Sequence, residues 1–82
     1  MTESEILQRL ADVVRRTFPG AASLTITMET TADQVQGWDS LAHALFLMRV
    51  ERALAVRFEP MDVVDLANIG GLVCLIARLM SA

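Results

Sequence analysis

Few residues in this chain can do covalent or metal chemistry, and their spacing narrows what that chemistry is. Ser40 follows Asp39 and opens a stretch, residues 39 to 56, with helical periodicity. In a first helical turn its hydroxyl points outward, clear of the apolar positions. A serine nucleophile needs a base, and the one histidine is badly placed for it. On a wheel with Ser40 at zero, His43 falls at about 300°, roughly 60° away and toward the apolar side. One cysteine, Cys74, excludes an internal disulfide, and one histidine with one cysteine cannot build a zinc site. There is no Ser-His-Asp set at plausible spacing, no glycine-rich phosphate loop and no metal cluster. With 82 residues there is little room for both a core and a substrate cleft. These exclusions favour a binding or carrier module over an enzyme.

The elements that must position Ser40 are legible in outline. The composition, 54% hydrophobic and 21% charged, belongs to a folded chain of one domain, residues 1–82. Residues 3 to 18 read as an amphipathic helix on Ile6, Leu10, Val13 and Val14, with Thr2 or Ser4 as cap and Pro19-Gly20 as stop. Residues 19 to 38 read as a long ordered loop pinned by its apolar residues. Leu24, Ile26 and Met28 alternate like a strand, but one short strand would have no partner. The second helix takes Asp39 as N-cap. Phe58 packs just beyond it, and Pro60 starts a short helix reaching about Leu66. Asn68 caps a last helix, Ile69 to Met80, with Ile69, Leu72, Val73 and Ile76 on one face. The expectation is an all-α four-helix bundle with a long first loop and a short third helix.

The second helix is apolar on two sides. His43, Phe46, Leu47, Val50 and Leu54 form a core stripe. Leu41, Leu45 and Met48 lie roughly opposite, with Arg52 among them and Arg49 at the edge. A domain this small cannot bury both. Either the second stripe is a partner surface, or loop 19–38 folds over it. Cys74 falls beside Leu72, Val73 and Ile76 and reads as an inert thiol in apolar surroundings. Gly70-Gly71 in a first helical turn implies a close helix approach.

Gly37-Trp38-Asp39-Ser40-Leu41 resembles the modification site of acyl carrier proteins, which carry Gly-x-Asp-Ser-Leu at the start of their second helix. The likeness runs through nearly the whole chain. Val50-Glu51-Arg52-Ala53-Leu54 resembles the family's aliphatic-Glu-x-x-aromatic end of that helix, with Leu54 in place of the aromatic. Asn68-Ile69-Gly70-Gly71-Leu72 resembles its Thr-Val-Gly-Asp-Leu opening of the last helix. The resemblance implies an acyl-carrier-type bundle, a single acyl carrier domain, in which Ser40 carries covalent 4′-phosphopantetheine taken from coenzyme A. It implies that Asp39 helps a transferase present the hydroxyl. The arm's thiol would then hold acyl groups as thioesters, and the chain would be a substrate of enzymes rather than an enzyme.

The partners so implied are a phosphopantetheinyl transferase and acyl-activating, acyltransferase or ketosynthase enzymes, in polyketide, fatty acid, specialised-lipid or other secondary biosynthesis. The rival readings are a peptidyl or aminoacyl carrier, and a carrier-like domain that docks partners unmodified. Trp38 either guards the arm's exit or anchors the loop. His43 either steers the transferase or packs, hydrogen-bonded, under the loop. Met48 and Met61 either line an acyl-accepting cleft or fill space, and the helices could part to admit a modest acyl chain between the second and third. The docking set is Leu41, Ala44, Leu45, Met48, Arg49 and Arg52, with apolar burial leading and Arg52 selecting partners with an acidic rim. Many fatty-acid carriers present an acidic second helix instead. Here Arg49, Arg52 and Arg57 outweigh Glu51, and the acids gather at Glu59, Asp62 and Asp65. Seven Arg, no Lys and a net charge of −3 give no basic patch for nucleic acid. No apolar run spans a membrane, no secretory signal opens the chain, and the lone cysteine suits a reducing cytoplasm. The expectation is a monomer, and Met1 suits a discrete protein, although a domain cut from a megasynthase would look similar.

Overall fold

A computed structural model describes residues 1–64 and 66–81. Its helices are α1 (Glu3–Thr17), α2 (Ser40–Leu54), the single-turn α3 (Pro60–Val63) and α4 (Ile69–Ser81). Two 3-10 turns, Pro19–Ala21 and Ala32–Gln34, lie in the long first connection. No strand forms among the described residues, so the alternating Leu24–Met28 segment is loop, as its lack of a partner requires. Asp65, counted above with the acidic group of the third helix, lies outside the described residues.

Helix α1 begins at a complete capping box. Thr2 Oγ1 accepts from the Glu5 N–H at 3.1 Å, and Glu5 Oε1 accepts from the Thr2 N–H at 2.8 Å. Those bonds from Thr2, backbone first, hold the Glu5 carboxyl below its usual range. The helix ends where Phe18 turns extended ahead of Pro19. Arg49 of α2 reaches that end and donates to Arg16 O at 3.4 Å and Thr17 Oγ1 at 3.2 Å. A cation is thus held at the negative end of the α1 dipole.

The core is one aliphatic cluster. Ile6, Leu10 and Val14 of α1 meet Phe46 and Val50 of α2 and Val73 and Ile76 of α4, all fully buried or nearly so. Both α2 and α4 pack directly on α1. Loop residues Ala21, Ile26 and Val35 are buried in the same cluster, which is how a connection of about 20 residues stays ordered.

The loop also completes α4. The first N–H groups of a helix lack partners within it. Here Ile69 N donates to Thr30 O at 2.9 Å, Gly70 N to Met28 O at 2.7 Å, and Gly71 N to Asn68 Oδ1 at 2.9 Å. Thr30 is 4% exposed and braces the loop by accepting from Thr27 N at 2.8 Å. The close approach expected at Gly70 is therefore by loop backbone and not by another helix. A Cβ on Gly70 would sit 2.8 Å from Met28 O.

Two further expectations change. The third helix ends at Val63 instead of reaching Leu66. Cys74 is exposed, contrary to its reading as a thiol among apolar neighbours. It lies one residue, about 100°, beyond Val73, outside the arc that α4 turns to the core.

Candidate functional site

Ser40 is the first residue of α2 and is exposed. Three local features put it there. Gly37, at φ 87°, takes a left-handed conformation that turns the loop before the helix. Asp39 is extended and caps the helix, its Oδ1 accepting from Ala42 N at 2.8 Å. Trp38 fastens the segment between them to the core.

The Trp38 anchor is an aromatic cluster that brings together three elements. Its ring stacks on Phe18 with centroids 4.5 Å apart and planes 13° from parallel. It also meets Phe46 at 4.9 Å with a 59° tilt. Its Nε1–H donates to His43 Nδ1 at 3.0 Å. Accepting at Nδ1, the neutral imidazole carries its proton on Nε2. The anchoring alternative for Trp38 and the packed, hydrogen-bonded alternative for His43 are thus the arrangements found. With Nδ1 engaged by the indole and the ring half-buried, His43 is not set up as a base for Ser40. No group of three or more potential metal ligands forms among the described residues.

The second stripe of α2 is open. Leu41 is 82%, Leu45 42% and Met48 64% exposed. Ala44, Arg49 and Arg52 are exposed beside them. Loop 19–38 does not cover this face, because Met28 and Thr30 commit it to the start of α4. Arg49 is exposed while its Nη1 bonds the end of α1, which holds the guanidinium at the edge of this face.

The seam between α2 and α3 is an open depression of about 240 Å³ lined by Ala44, Leu47, Phe58 and Val63. A smaller cavity of about 50 Å³ lies among Trp38, His43, Phe46, Leu47, Leu66 and Leu72. It has room for a few waters. Neither Met48 nor Met61 lines either space, and Met61 is 80% exposed.

Sequence reasoning missed four contributors. Glu51 Oε2 accepts from Phe58 N at 2.8 Å and so sets the path from α2 to α3, a bond that neither its charge nor its place in the helix-ending motif announced. Met28 and Thr30 hold α4 through their carbonyls, which no side-chain pattern reveals. Arg16 joins Arg49 and Arg52 around a groove at the α1–α2 seam. In comparison with known proteins, no protein-family model matches the chain and no curated protein does.

Proposed function

We propose that this chain is an acyl carrier domain whose Ser40 accepts 4′-phosphopantetheine. The observation that carries the reading is the union of motif and geometry. Within Gly37-Trp38-Asp39-Ser40-Leu41, Ser40 is the exposed first residue of a 15-residue helix whose preceding loop is locked by Trp38. The length and order of the helices and the small all-helical build are of the kind such a domain needs.

The residues present suit a phosphodiester at that position. Ser40 Oγ would form the bond to phosphorus, and the positive end of α2 favours the negative charge placed there. Asp39 satisfies the Ala42 N–H and, by its match to the family motif, would present the serine to the transferase. The rigid Trp38 anchor holds the attachment point away from the core, so a flexible arm would swing from a fixed base. The arm's thiol would supply the thioester linkage for acyl cargo. The open stripe of Leu41, Ala44, Leu45 and Met48 lies on the same helix and suits docking by the transferase and by acyl-activating, acyltransferase or ketosynthase enzymes. Secondary biosynthesis is the proposed setting, and an exposed thiol at Cys74 fits a reducing compartment.

The test is intact mass after incubation with coenzyme A, magnesium and a broad-specificity phosphopantetheinyl transferase. The wild type gains one phosphopantetheinyl group, and Ser40→Ala folds normally and gains nothing. A Ser40→Ala chain that is still modified overturns the site. A folded wild type that stays unmodified favours an unmodified docking domain.

A further inference from the structure

From the charge and shape of the α1–α2 seam we infer that this face docks a partner protein carrying carboxylates around an apolar side chain. The inference deepens the carrier reading by naming the chemistry of its partners, and it does not depend on the arm. Two depressions adjoin on α2. One is lined by Leu45, Met48, Arg49 and Arg52. The other, about 360 Å³, runs between the helices and is lined by Val13, Arg16, Arg49, Arg52 and Ala53. Arg49 and Arg52 form the wall common to both. An apolar side chain seated on Leu45 and Met48 therefore has guanidinium groups on its flank, and beyond them Arg16 of α1.

These arginines face solvent without carboxylate partners among the described residues. Among the described residues the one ion pair is Arg15 with Asp12, at 3.9 Å on exposed α1. The chain as a whole carries a charge of −3, so the cationic patch runs against the net charge. Beyond about 8–10 Å that net charge is screened at physiological salt, and the local patch decides which surfaces fit at contact. Arg49 is already fixed by its bonds to Arg16 O and Thr17 Oγ1. One cation of the patch is thus ordered before docking, which lowers the entropy lost on binding. Guanidinium groups also favour carboxylates through forked hydrogen bonds. The apolar dimple supplies affinity, and the arginines reject basic surfaces and select acidic ones.

The probe is a synthetic amphipathic helix of about four turns, with leucines on one face and glutamates elsewhere. Its control replaces every glutamate with lysine. Each is titrated into the ¹⁵N-labelled, full-length, unmodified protein at up to millimolar concentration, with amide shifts as the readout. The glutamate peptide is expected to perturb Arg16, Leu45, Met48, Arg52 and Ala53 and to saturate, and the lysine peptide is expected to leave them unmoved. Arg16→Glu/Arg52→Glu should weaken the glutamate peptide at least about tenfold. If that variant is misfolded by circular dichroism, Arg52→Gln provides the same comparison with a smaller expected loss. Equal response to both peptides, shifts confined to other faces, or no response at all overturns the inference. Binding to phosphatidylglycerol vesicles without binding to the glutamate peptide would assign the patch to anionic lipid and overturn it as well. None of these outcomes bears on whether Ser40 is modified, which the mass experiment reads separately.

Discussion

Two adjacent glycines at the start of α4 should respond to the same substitution with opposite signs. Helix propensity alone predicts that Gly70→Ala and Gly71→Ala each stabilise the protein, by at most about 1 kcal/mol. The structure separates them. A Cβ on Gly71 would meet Leu66 Cδ2 at 3.4 Å and Asn68 Oδ1 at 3.7 Å, ordinary contacts that leave the gain of about 0.5–1 kcal/mol in place. A Cβ on Gly70 would lie 2.8 Å from Met28 O, a backbone atom that accepts the Gly70 N–H at 2.7 Å. Relieving that clash means withdrawing the loop from α4. The Gly70–Met28 bond is then lost and the neighbouring Ile69–Thr30 bond is weakened, at about 1 kcal/mol each, with further loss where the donors stay buried. Gly70→Ala should therefore destabilise by about 1–2 kcal/mol net of its propensity gain. The two variants should differ by about 1.5–3 kcal/mol, or roughly 6–24 °C in Tm for a domain of this size. Urea and thermal unfolding followed by circular dichroism give both numbers. If both variants stabilise equally, the loop does not rest on α4 and the account of its order is wrong.

Ala55 ends α2 in the left-handed region at φ 54°, where an L-residue costs about 1–2 kcal/mol, so Ala55→Gly should stabilise by about 0.5–1 kcal/mol after the entropy glycine loses on folding; a loss of stability in urea unfolding would contradict this. Because the Glu5 carboxyl is held below its usual range, its contribution to α1 is present above the ordinary glutamate pKa and disappears as pH falls through the depressed value. Amide protection factors in the first turn of α1, taken against the intrinsic exchange rate at each pH, should fall over that acid window in the wild type, and Glu5→Gln, which keeps an acceptor but cannot titrate, should lose the dependence. With any enzyme that acts on the modified chain, Leu45→Glu should weaken binding measured by calorimetry more than Gln8→Glu on the exposed side of α1, since only Leu45 lies in the open apolar stripe.

The helices were legible because their signals are local. Thr2 and Asp39 cap at the expected positions, Pro19 stops α1, and the spacing of Ile6, Leu10 and Val14 marks the buried side. The open stripe of α2 was legible for a related reason, since a small bundle cannot bury opposite faces of one helix. The Trp38–His43 pairing was half visible, as two residues near a helix start that needed packing. Their hydrogen bond spans only five residues, but the stack of Trp38 on Phe18 joins residues far apart in sequence. What stayed hidden was carried by backbone or by distant pairs. The carbonyls of Met28 and Thr30 that cap α4 leave no trace in residue type, and Arg49 reaches across to Arg16 O through a contact that no periodicity encodes. Cys74 was misplaced because apolar sequence neighbours on a helix need not share its face.

The central claim is that Ser40 carries the arm, and the measurement closest to it is localisation of the added group by tandem mass spectrometry. Trypsin cleaves after Arg16 and Arg49, so Ser40 falls in one peptide with Thr17, Ser23, Thr25, Thr27, Thr30 and Thr31 as competing hydroxyls. After treatment with the transferase and coenzyme A, fragments that contain Ser40 should carry one phosphopantetheinyl group, and fragments ending before Asp39 should carry none. The group found on Ser23 or on any of the threonines, or a fully unmodified peptide from folded protein, would contradict the account.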